Sequence, residues 1–169
     1  PAFGSGGRVI VNAAASGTSS DNEARAIAVQ PDGRIVIAGV ASGSGANPDL
    51  LVMRFAADGA PDTTFNGSGR VLTNVGVDDA ANALALQADG RIVVAGHAFT
   101  TGSGNRDFVV ARYAANGTAD ATFGDGGVRT FAIGPADDVA RAVAVMPWGR
   151  IVAAGSSRIS ASASGLALA

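Results

Sequence analysis

Short runs in which large apolar residues alternate with small ones return three times along the chain. Ala26-Ile27-Ala28-Val29 recurs as Ala83-Leu84-Ala85-Leu86 and again as Ala142-Val143-Ala144-Val145. A two-residue period is that of a β-strand, whose successive side chains point to opposite faces. Each run passes through a tight turn, at Pro31-Asp32-Gly33, Ala88-Asp89-Gly90 and Pro147-Trp148-Gly149, into a second strand. The first of these turns has a mechanism: proline presets φ, aspartate bonds its own backbone, and glycine accepts the left-handed position. The second strands, such as Arg34 to Ala38, are apolar on both faces, as the middle of a covered sheet requires. A third run, Asp49 to Phe55, matches Asp107 to Tyr113. The stretch from Asp137 to Val143 opens with residues suited to a helix N-cap. Its repeat partners alternate strictly, so a strand is expected there as well.

A fourth block completes the unit. Phe3-Gly4-Ser5-Gly6-Gly7-Arg8-Val9 returns as Phe65-Asn66-Gly67-Ser68-Gly69-Arg70-Val71, and in altered form from Phe123 to Val128. The chain therefore reads as one array over 1–169, with repeats at roughly 3–64, 65–122 and 123–169. Asn66-Gly67-Ser68 and Asn116-Gly117-Thr118 fit a glycosylation sequon, but turn chemistry accounts for the same residues. The last copy stops at Gly165-Leu166-Ala167-Leu168-Ala169, one position short of the recurring arginine.

Composition narrows the function. Of 169 residues 47% are hydrophobic and 15% charged, which excludes a disordered chain. A net charge of −2 leaves no basic footprint for nucleic acid. All twelve basic residues are arginine, and cysteine is absent, so a P-loop lysine, disulfides and thiolate chemistry drop out. No apolar run reaches the roughly 18–20 residues of a membrane span. The chain starts at Pro1 without methionine, which fits a processed end or a fragment.

The order of blocks, F-[GN]-x-[GS]-G, then A-[ILV]-A-[VL]-Q-P-D-G-R-I-V-x-A-G, then D-[FL]-x-V-x-R-[FY], resembles the bacterial delta-60 repeat, over nearly the whole chain. The resemblance implies an all-β fold of β-propeller blades, each of four antiparallel strands, in a secreted or cell-surface setting. It supplies no catalytic motif. The third copy departs from the pattern, with Trp148 in place of the turn aspartate and a Ser/Ala tract from Arg158 to Ser164. By analogy with NHL-type propellers, Ala24–Gln30, Asn82–Gln87 and Arg141–Met146 line the central channel, and each Phe-Gly block forms the outer strand of the preceding blade. About three blades are too few for a ring, since propellers use four to eight. Closure is expected either as a six-bladed ring from two copies or within a longer chain.

Candidate chemistry is sparse. The one histidine, His97, is expected at a loop start and has no partner motif. Arg34, Arg91 and Arg150 follow each turn glycine, Arg54 and Arg112 end each third strand, and these are expected to donate to carboxylates such as Asp62 and Asp120 as structural latches rather than to bind an anion. Asp21-Asn22, Asp78-Asp79 and Asp137-Asp138 occupy one repeat position ahead of the inner strand. Carboxylates gathered there from several blades favour a hard cation, so a weak Ca2+ site is expected from Asp78, Asp79, Asp137 and Asp138. Turn formation selects the same residue types. The reading is a non-enzymatic module for binding or structural assembly, with a protein or glycan ligand. The alternatives are a hydrolase or lyase using the aspartates, and a carbohydrate-binding propeller using Trp148.

Overall fold

A computed structural model describes residues 2–13, 22–42, 47–100, 102, 104–160 and 163–169. These form eleven strands and no helix. The first sheet contains β1 (Glu23–Val29), β2 (Ile35–Ser42), β3 (Pro48–Phe55) and β4 (Arg70–Thr73) in sequential antiparallel order. The second repeats the order with β5 (Asp79–Leu86), β6 (Ile92–Thr100), β7 (Asn105–Tyr113) and β8 (Val128–Phe131). The third has β9 (Asp138–Val145), β10 (Ile151–Ser160) and β11 (Ala163–Leu168). These are propeller blades. The strand expected from Asp137 to Val143 is β9, which starts at Asp138.

The turns behave as their residues dictate. In the first blade Gln30 N–H donates to the Arg34 carbonyl at 2.7 Å, and Gly33 sits at φ 84°. The Asp32 carboxylate accepts the Arg34 N–H at 3.0 Å, and Asp89 repeats this bond on Arg91. Asn116 takes the Thr118 N–H and hydroxyl at 3.1 and 2.8 Å, which is the turn reading of that sequon.

The Phe-Gly block closes the sheet before it, so structural blades are offset from sequence repeats. Val71 of β4 lies opposite Val52 of β3, and Arg129 of β8 opposite Val110 of β7. Between the first two blades, Val36, Ala38, Leu50 and Val52 meet Ala81, Ile92, Val94, Val109 and Tyr113. Between the second and third, Val93, Ala95, Phe108 and Val110 meet Ala140, Ala153 and Ala167. Ala26 of one inner strand packs toward Leu84 and Leu86 of the next. Small side chains on one face thus let the large ones of the neighbour come close near the axis.

Four of the five recurring arginines, Arg34, Arg54, Arg91 and Arg112, are latches. Arg34 and Arg54 both donate through Nε to Asp62, at 3.0 and 2.8 Å, and Arg91 and Arg112 do the same to Asp120 at 2.9 and 2.8 Å. Arg54 and Arg112 also lie over the rings of Phe65 and Phe123, 4.8 Å from each centroid. One latch spans two blades, because Arg54 Nη1 reaches the Ala115 carbonyl at 2.5 Å.

Candidate functional site

The inner strands β1, β5 and β9 lie side by side and carry the polar chemistry at their two ends. At the strand starts, the acidic pairs separate. Asp79 is the first residue of β5 and fully buried; its Oδ2 accepts the N–H groups of Val75 and Gly76 at 2.6 and 2.9 Å. Asp138 repeats the clamp on Ile133 and Gly134 at 2.7 and 3.0 Å. Each fastens the linker that enters its blade. Burial pushes the Asp79 carboxyl above the ordinary carboxylate range, against the pull of those two N–H groups.

Asp78 and Asp137 take the other direction and meet on one residue. Arg106 donates from Nε to Asp78 at 2.8 Å and pairs with it again through Nη2, while its backbone N–H donates to Asp137 at 3.0 Å. Asn22 Nδ2 donates to Asn12 at 2.9 Å, and Asp21 lies outside the described residues. Of the five described rim residues, Asp78 and Asp137 thus share Arg106, while Asp79 and Asp138 face their linkers and Asn22 meets Asn12. Among the described residues no group of three or more His, Asp or Glu side chains is placed to hold a metal ion.

Sequence reasoning overlooked a feature common to all three inner strands. The pairing register skips one residue between Ala24 and Ala26, between Ala81 and Ala83, and between Ala140 and Ala142. A β-bulge thus sits at Arg25, Asn82 and Arg141, re-aiming one long polar side chain per blade. The glycine opposite each bulge makes room for it: a Cβ on Gly96 would lie 1.8 Å from the Ala80 carbonyl oxygen. Gly39 and Gly155 stand in the same relation to Glu23 and Val139. The bulge residues tie neighbouring blades together. Arg25 donates to Asn82 Oδ1 at 2.9 Å, and Asn82 donates to the Ala140 carbonyl at 2.9 Å.

His97 is not at a loop start. It lies within β6, buried, with Nδ1 3.5 Å from Asn82 Nδ2. Burial, aided by Arg106 and Arg25, lowers its pKa to about 4, so the ring is neutral at pH 7.

At the other end, the three inner hairpins enclose a cleft of about 650 Å³. Gln30, Pro31, Gln87, Asp89, Met146 and Pro147 are among its walls, so each repeat supplies equivalent positions. Gln30 is nine-tenths buried, and Gln87 reaches across the blade boundary to the Gly149 carbonyl at 3.4 Å. Trp148, between the lining residues Pro147 and Gly149, stands 84% exposed. It occupies the position where the other two hairpins carry Asp32 and Asp89.

Comparison with curated proteins finds no significant match. Residues 30–65 and 87–123 match the family model described as a domain of unknown function (DUF5122), a β-propeller. Each match runs from the inner-hairpin glutamine to the phenylalanine of the outer block, so what recurs is a propeller-repeat signature carried by the first two blades.

Proposed function

We propose that this chain is a non-enzymatic propeller module that binds a glycan in the cleft between its inner hairpins. The observation that carries the reading is the cleft itself, which all three repeats build and which is walled by amide, proline and thioether groups. Sugars offer a C–H face for an aromatic ring together with hydroxyls for amide groups. The amides of Gln30 and Gln87 in the cleft wall, and the exposed indole of Trp148 between the wall residues Pro147 and Gly149, suit that pairing. The non-enzymatic part is supported by the state of the titratable groups. His97 is buried and neutral, Asp89 is engaged by Arg91, and Asp79 and Asp138 clamp backbone.

Trp148 is the only tryptophan in the chain, so its fluorescence reports on the third inner hairpin alone. Titration with a panel of neutral oligosaccharides is expected to give a saturable blue shift with at least one of them, abolished for calorimetric binding in Trp148→Ala. No shift and no gain in melting temperature across the panel would refute the glycan reading.

A further inference from the structure

The two ends of the array present the halves of one blade interface. In the first two blades the residues facing the next blade are buried, among them Leu50, Val52, Phe108 and Val110. Their counterparts in the third blade are Leu166, fully exposed, and Leu168, 72% exposed. At the opposite end Ile27 and Val29, counterparts of the partly buried Leu84 and Leu86, also face solvent.

The outer edges are complementary too. β3 pairs with β4 and β7 with β8, while among the described residues β11 has no outer strand. The N-terminal segment 2–13 is already seated as such a strand. Gly4 N–H donates to the Asp58 carbonyl at 2.8 Å, as Asn66 N–H does to Asn116 one blade on, at 2.7 Å. Phe3 and Val9 lie against Gly59 as Phe65 lies against Gly117. Val9, Val11 and Ala13 pack on Leu51 and Met53, yet the segment belongs to no sheet. A recess of about 210 Å³, lined by Val110, Phe123, Phe131, Ile151 and Ala169, lies beside β11. Ile10 is 89% exposed.

We propose that the N-terminal segment of a second copy of the 1–169 polypeptide adds to β11 as its outer strand, so that two such polypeptides close a six-bladed ring. The register follows from the other blades. Val71 opposite Val52, and Arg129 opposite Val110, place Val9 of the second copy opposite Leu168 and its Val11 opposite Leu166. Alternation then turns its Ile10 toward the preceding blade, as Leu72 turns toward Leu51 and Met53, and that direction leads into the recess. The alanine face of β9 in one copy meets Ile27 and Val29 of the other, the same match of small to large seen at both internal interfaces. This assembly does not depend on the glycan cleft, so either reading can fail without the other.

The chain has no cysteine, which makes cross-linking specific. Oxidised Val9→Cys/Leu168→Cys protein is expected to run as a covalent dimer under non-reducing conditions, and the out-of-register pair Ile10→Cys/Leu168→Cys as a monomer. Ile10→Asp, on an exposed side chain, is expected to weaken self-association by roughly tenfold or more with the circular dichroism unchanged. A folded 9/168 variant that forms no intermolecular bond overturns the proposal. Equal cross-linking by the 10/168 pair overturns the register, and undiminished association of Ile10→Asp overturns the socket.

Discussion

At the scale of single residues, neighbours in sequence do opposite work. On an extended chain adjacent side chains point to opposite sides. Asp78 accordingly meets Arg106 near the surface while Asp79 turns into the blade and clamps Val75 and Gly76. The recurrence of acidic pairs is plain in the sequence, but a search for gathered carboxylates treats both members alike and misses this division. The arginine latches were legible because Arg54 and Asp62, like Arg112 and Asp120, recur together at fixed spacing, and their partners are found where that pattern points. Asp79→Ala removes the acceptor of two part-buried N–H groups and is expected to cost about 1–3 kcal/mol by denaturant titration. Asp79→Asn, which keeps an acceptor, is expected to cost less.

Two buried groups give opposite pH dependences. His97 titrates near 4 in the fold and near 6.5 in the unfolded chain, so the unfolded state binds more protons between those values. Stability is therefore expected to fall as pH drops from 6.5 to 4, by about 3 kcal/mol from this residue. Melting curves of His97→Gln are expected to be flatter across that window, and an unchanged slope would contradict the buried neutral ring. Asp79, with its pKa raised by burial, works the other way. Its folded form holds its proton to higher pH than the unfolded one, so its contribution grows as pH falls from above its folded pKa toward 3.8.

At the scale of elements, period-two alternation carries most of the fold. It places the inner strands, decides β9 against a helix, and separates the alanine face from the large one. What alternation cannot display is a skipped residue. Through the bulges at Arg25, Asn82 and Arg141 the large/small pattern slips by one, and the only trace is a glycine on the facing strand that reads as the end of an apolar run. Gly96→Ala is expected to be among the most damaging single-methyl changes in this chain. The added Cβ meets a backbone carbonyl in the middle of a sheet, which has no flexible end to move aside. A loss of roughly 3 kcal/mol or more, or failure to fold, is the expected outcome by urea denaturation. Gly102→Ala, whose Cβ would meet nothing, is the matched control. The hairpin cleft was illegible for a different reason. It arises only when three turns of separate repeats are brought together, and single positions such as Gln30 and Gln87 look like the ends of strands.

For the whole molecule, the repeat explains both what is buried and what is left open. Equivalent leucine, valine and phenylalanine positions are covered at the two internal blade interfaces and uncovered at the third. Apolar area of that kind stabilises by about 25 cal/mol per Å² once covered, so the open faces favour any partner of matching shape. The N-terminal segment already has that shape and the correct seat on the first blade. The measurement that bears most directly on this account is the molar mass of the 1–169 chain by light scattering across a concentration series. A folded particle of twice 16.5 kDa, dissociating only on dilution, is the expected result. A stable, folded 16.5 kDa monomer at tens of micromolar would contradict it.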